Sequence, residues 1–144
     1  MERPVTIQIL STIERDGEKE RISQSVSGTY HADNGSHTIH YRENHPNGAT
    51  TYNQFYFDPQ VARLLRSGSV QSTMEFTPGI QKTCNYTTEL GTIMLKTYTK
   101  AYDSIWHSPN DIRIKITYDL FQEEILISTT TLRIRIWDKC ILIR

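Results

Sequence analysis

An all-β domain is what this sequence predicts, and three observations carry that reading. Apolar and polar residues alternate at period two through one segment after another. Turn formers such as Asp16-Gly17, Asn34-Gly35, Asn47-Gly48 and Pro78-Gly79 separate those segments. No long stretch repeats its apolar residues at helical spacing. At 144 residues the chain fits one domain, 1–144, large enough to bury roughly two-thirds of its unfolded surface without staples.

The first strand alternates Val5, Ile7 and Ile9 with Thr6, Gln8 and Leu10, and Asp16-Gly17 reverses it. Its return strand carries Ile22, Gln24, Val26, Gly28 and Tyr30 on one face. Gly28 inside a strand marks a bulge or sharp bend of the kind barrels use at corners. After Asp33-Asn34-Gly35, a third strand sets Ile39 and Tyr41 opposite Thr38, His40 and Arg42, and Pro46-Asn47-Gly48 closes it. Segment 50–57 has two aromatic faces, Tyr52 and Tyr56 against Phe55 and Phe57. Stretch 58–66 reads two ways. Asp58-Pro59 followed by Val61, Leu64 and Leu65, with Gly68 beyond, has the spacing of a short helix; the strands on both sides favour a turn at Asp58-Pro59 and a short strand from Val61, because so short a helix has little stability of its own.

Residues 64–100 read as an antiparallel meander reversed at Gly79 and Gly91, with Ser72, Met74 and Phe76, then Cys84, Tyr86 and Thr88, then Leu95, Thr97 and Thr99 in phase. Trp106-His107-Ser108-Pro109-Asn110 reads as the longest loop. Ile112, Ile114, Ile116, Tyr118 and Leu120 then give the cleanest alternation in the chain, against Arg113, Lys115, Thr117 and Asp119. Glu123-Glu124 falls in a hairpin turn, and the last strand sets Thr130, Leu132, Ile134 and Ile136 against Arg133 and Arg135. Residues 138–144 read as an appendage whose Ile141-Leu142-Ile143 run favours packing on something, such as a second subunit. About 8–10 strands in series are best closed, or nearly closed, into a single antiparallel meander barrel, since closure removes the exposed edges of an open sheet.

Charge and cysteine content narrow the function. Sixteen basic residues balance sixteen acidic ones, which leaves no net electrostatic attraction to nucleic acid or to an anionic membrane. No apolar run approaches the roughly 20 residues of a membrane helix, and Met1-Glu2-Arg3-Pro4 leads straight into a strand, so a cytoplasmic protein is expected. Cys84 and Cys140 lie far apart with no CxxC or Cys/His spacing, the pattern of reduced thiols.

Arg66-Ser67-Gly68, Phe76 with Gly79, Tyr86-x-Thr88, Gly91 and Leu95-x-Thr97-x-Thr99, with a weaker echo in Ile114-x-Ile116-x-Tyr118, together resemble the YwiB-like family of small bacterial proteins. The resemblance spans about 5–136 and implies a calycin (lipocalin-like) β-barrel, a bacterial cytoplasmic setting, and strand in place of helix at 61–66. It implies no activity. Pro59 and the C-terminal tail depart from the pattern.

No phosphate loop, nucleophile elbow or paired-carboxylate motif is written here, so no catalytic residue and no cofactor is assigned. His31, His37, His40, His45 and His107 lack the convergent spacing of a metal site and read as solvated surface residues. Cys84 reads as a small buried hydrophobe. Arg133 and Arg135, like Arg113 and Lys115, stand opposite drier isoleucine faces and are expected to face solvent. The interior polar groups expected from the alternation are Ser72, Tyr86, Thr88, Thr97 and Thr99, in the composition of a mostly apolar pocket with a few placed polar atoms. Arg66, directly before a tight turn, is either a contact for an anion at the pocket mouth or a pin for its hairpin. The expected function is non-enzymatic binding of a small, partly apolar ligand in the barrel. The alternative is a protein-interaction or homodimerisation module using Tyr41, Tyr52, Tyr56 and the 141–143 tail.

Overall fold

The computed structural model describes residues 2–139, and the expected tail packing of Ile141-Leu142-Ile143, with Cys140, lies outside them. Among the described residues ten strands follow one another: β1 (Glu2–Arg15), β2 (Glu18–Asp33), β3 (Ser36–Asn44), β4 (Thr50–Phe57), β5 (Ala62–Gly68), β6 (Ser72–Phe76), β7 (Gln81–Thr88), β8 (Gly91–Ser108), β9 (Asp111–Gln122) and β10 (Ile125–Asp138). In an up-and-down meander an even strand number leaves the first and last strands antiparallel. Here β1 and β10 pair from Val5↔Asp138 to Glu14↔Thr129, so the sheet runs β6-β5-β4-β3-β2-β1-β10-β9-β8-β7.

The two edge strands, β6 and β7, are neighbours in sequence and meet across a seam. Gln71 and Thr87 exchange backbone hydrogen bonds of 2.8 and 2.9 Å, and the Gly79 N–H donates to the Thr99 carbonyl at 2.8 Å. Between those points a side chain replaces the ladder: the Thr97 hydroxyl donates to the Glu75 carbonyl at 3.3 Å. The result is a nearly closed ten-stranded barrel.

Local chemistry explains the reversals. Asp16 and Asn34 adopt positive φ (52° and 49°) beside Gly17 and Gly35, as two-residue hairpins require. The Asp58 carboxylate accepts from the N–H groups of Gln60 and Val61 at 2.7 and 2.9 Å, which forms the turn before strand β5 in place of a helix. One expectation fails: 106–110 is not a long loop. Strand β8 runs on to Ser108 and only Pro109 and Asn110 reverse the chain, because bulges at Thr99/Ala101 and Trp106/Ser108 let a long strand curl and stay paired with β9. No bulge falls at Gly28, where β2 keeps its register with β1; glycine is required there by a close approach. A Cβ there would sit 2.5 Å from the His40 carbonyl oxygen and 2.7 Å from Ile7 Cδ1. Pairing of β2 with β3 stops at Gly28↔Tyr41, so residues 18–27 of β2 pair with β1 alone.

The barrel has two unlike ends. Hairpins around residues 34, 59, 79 and 109, with both described termini, form the floor. Hairpins around 16, 47, 70, 90 and 123 form the mouth. The core fills the floor half: Val5, Ile7, Ile39, Phe55, Phe57, Phe76, Ile112 and Ile136 are all at most 3% exposed. His37 lies between Phe57 (5.2 Å between ring centroids) and Tyr30 (5.8 Å), with Trp106 at 5.4 Å, and these rings stop the lower end.

Candidate functional site

Above the aromatic floor the inward positions turn polar. Strand alternation keeps Tyr41 and Glu43 in phase with buried Ile39, and Asn53 and Thr51 in phase with buried Phe55. Register then sets Tyr41 beside Asn53, Asn53 beside Arg66, and Arg66 beside Ser72. One step from the Gln71↔Thr87 bridge brings Tyr86 opposite Ser72. Five consecutive strands, β3 to β7, thus contribute one inward belt: Tyr41, Asn53, Arg66, Ser72 and Tyr86.

Arg66 is the hub of that belt. Its Nε donates to Asn53 Oδ1 at 3.2 Å, and its Nη2 donates to Glu43 Oε1 at 3.1 Å. Asn53 Nδ2 donates to the same Glu43 oxygen at 2.9 Å, closing the triad. The Arg66 and Glu43 side chains retain 23% and 21% of their exposure, so the pair borders on water and is not sealed in the core. Burial and the Glu43 carboxylate push the Tyr41 phenol far above its ordinary range, against the pull of Arg66. Burial likewise raises the phenol of Tyr118, which faces the belt from β9. The Ser72 hydroxyl is buried and has no hydrogen-bond partner among the described residues, a state that costs free energy unless something completes it.

The opposite wall of the mouth is apolar. Ile22 pairs with Ser11, in phase with buried Ile7 and Ile9; Ile93 pairs with Tyr86; Ile125 pairs with Gln122, in phase with Ile112 to Ile116. All three isoleucines therefore belong to the inward face, yet they are 49%, 45% and 64% exposed. Exposure of inward-phase apolar side chains means that the barrel is open at this end. Over the rim, a cleft of about 910 Å³ runs between the loops at 45–49, 68–71 and 87–90, with His45, Ser69, Val70, Thr88 and Leu90 on its walls. A short relay of polar groups borders it: His45 Nε2 meets Thr51 Oγ1 at 2.8 Å, and Thr51 Oγ1 meets Ser69 Oγ at 2.5 Å.

The six residues singled out in the sequence divide between two places. Arg66, Ser72 and Tyr86 lie side by side in the belt, and Thr88 lines the cleft above them. Thr97 and Thr99 are fully buried deeper down; Thr97 closes the β6/β7 seam, while the Thr99 hydroxyl is unpaired among the described residues. Glu43 and Asn53 escaped the sequence reading. Their signal was phase, since a charged and an amide side chain continue faces otherwise made of Ile39, Tyr41, Phe55 and Phe57. Tyr41 was expected on the outer surface and is instead inside, because it shares a face with Ile39. The histidines were expected in solvent, but His37 is packed among aromatic rings and His45 is hydrogen-bonded at the mouth. Burial lowers the His37 pKa below its usual value, with Arg3 adding to the effect and Asp58 opposing it. Among the described residues no three His, Cys, Asp or Glu side chains gather in a metal-binding group.

Comparison with known proteins places this geometry. Residues 7–134 match a family described as "Domain of unknown function (DUF1934)". The chain is 30% identical over 119 residues, 83% of its own length and 82% of the relative's, to "Uncharacterized beta-barrel protein YwiB" of Bacillus subtilis (strain 168). The crystal structure of the ywiB protein from Bacillus subtilis superposes with a TM-score of 0.86 at 26% identity, covering 96% of this chain and 94% of that one. With the match to the family running from the first strand to the last, this chain belongs to the DUF1934 family of YwiB-type β-barrel proteins.

Proposed function

We propose that this barrel binds a small amphipathic molecule at its mouth, with the polar head against Arg66 and Ser72 and the apolar body against Ile22, Ile93 and Ile125. The observation that carries the reading is the coincidence of inward-phase isoleucines left 45–64% exposed with a buried, unpartnered Ser72 hydroxyl on the facing wall. A ligand of that shape would cover the first and satisfy the second. Arg66 presents guanidinium donors beyond those used by Asn53 and Glu43, and the head that suits them is a hydrogen-bond acceptor such as a carboxylate or carbonyl. Because His37, Phe57 and Trp106 fill the floor, entry is from the mouth.

Native mass spectrometry after gentle purification, followed by a screen of medium-chain carboxylates and alcohols, tests the reading. The expected result is a 1:1 adduct that Arg66→Ala weakens at least tenfold. An affinity unchanged by Arg66→Ala and by Ile125→Ser would overturn it. The interaction-module reading loses Tyr41 to the interior. Light scattering on the full chain and on a truncation after Trp137 separates it from the first, since a monomer unaffected by truncation removes it.

A further inference from the structure

The outer wall carries a second, independent feature on β1, β8, β9 and β10. Two adjacent rows cross it. In one, Leu10, Arg133, Lys115 and Asp103 are successive cross-strand partners. In the next, Gln8, Arg135, Arg113 and Ile105 are. At the centre, Arg133 directly faces Lys115 and Arg135 directly faces Arg113, so four cations occupy a rectangle of about 5 by 7 Å, the strand spacing by the two-residue rise.

Like charges placed directly opposite in a sheet are destabilising, and here they recur at two registers in a chain of zero net charge. Asp111 offsets only one row: it lies 3.4 Å from Arg113 and 3.3 Å from Arg135. Among the described residues, neither Lys115 nor Arg133 has a carboxylate within the 4.0 Å limit of an ion pair. The same residues line a groove of about 610 Å³ together with Leu10 and with Ile105, which is 53% exposed. Asp103, opposite Lys115, is the one carboxylate on the groove lining, so four cations outnumber it around a partly apolar lining of ligand size.

We propose that this groove binds a small organic phosphate, its dianionic head held by Arg133, Lys115 and the flanking arginines and its apolar body resting on Leu10 or Ile105. A phosphate matches the grid better than a single carboxylate does. It offers three oxygens and close to two negative charges to donors on both strands, whereas one carboxylate would leave two cations facing each other.

Amide chemical-shift mapping with AMP, and with adenosine as the uncharged control, tests the inference on the full chain. AMP is expected to shift residues 8–10, 103–105, 113–115 and 133–135 and not the mouth, with adenosine at least tenfold weaker. Arg133→Glu should weaken AMP at least tenfold and raise the melting temperature, because it turns a like-charge pair into an opposite-charge one. Shifts absent at millimolar AMP, shared equally by adenosine, or retained in Arg133→Glu would overturn the proposal. A lower melting temperature in that folded variant would overturn its electrostatic premise.

Discussion

The floor and the mouth of this barrel are built on the same ten strands, yet they solve opposite problems. At the floor the inward positions are large and mostly apolar, their rings stack, and the imidazole among them, His37, is hydrogen-bonded to Tyr30 OH at 2.5 Å. At the mouth the inward positions divide into a polar wall on β3–β7, where Asn53 and Ser72 are buried and Arg66 and Glu43 border on water, and an apolar wall on β2, β8 and β10 that is left exposed. The difference teaches where tight packing gives way to an open wall. A strand that alternates cleanly closes the barrel wherever it is paired on both sides. The wall opens where pairing ends, as where β2 leaves β3 at Gly28.

Substitutions at the two ends should therefore separate. The largest effect belongs to the floor: Phe55→Ala, at a position 1% exposed, should cost about 3–5 kcal/mol by denaturant titration while leaving any mouth ligand bound in the fraction that stays folded. Arg66→Ala should cost less, on the order of 1–2 kcal/mol, because the pair it breaks is partly exposed and so falls short of the penalty for a sealed ion pair. A loss as large as that of Phe55→Ala would show that the belt is core and not site.

The third contrast is in pH. His37 has a folded pKa below its unfolded value, so the unfolded chain binds more protons. Its contribution is full above the unfolded pKa of about 6.5 and is lost as pH falls from there through the folded pKa. Thermal melts between pH 8 and 5 should show that loss, and His37→Phe should flatten it. The smallest effect is expected from Ile125→Ser: being 64% exposed, it should shift stability by no more than about 0.5 kcal/mol yet weaken ligand. A large destabilisation there would mean that the apolar wall is packed in solution.

Legibility in the sequence followed the same division. The strands, their order and the closing turns could be read because period-two alternation and turns such as Asp16-Gly17 are local signals. Ser72 and Tyr86 could be named as interior and Arg66 as a mouth contact or a hairpin pin, but their convergence could not, since it depends on the β6/β7 seam, where the Thr97 hydroxyl substitutes for part of a backbone ladder. Glu43 and Asn53 were missed for a related reason. A charge in phase with Ile39 looks like a strand end until the facing Arg66 is placed beside it by register. The length of β8 was hidden by its bulges, which break the alternation at Lys100 and His107 without breaking the strand.

The most direct test of an open mouth over a closed floor is an amide NMR titration with decanoate, with decanol as the uncharged control. The account predicts shifts at Glu43, Asn53, Arg66, Ser72, Tyr86, Ile93 and Ile125, weaker for decanol, with His37, Phe57 and Trp106 unmoved. Shifts centred on His37 and Trp106, or none at millimolar decanoate, would contradict it.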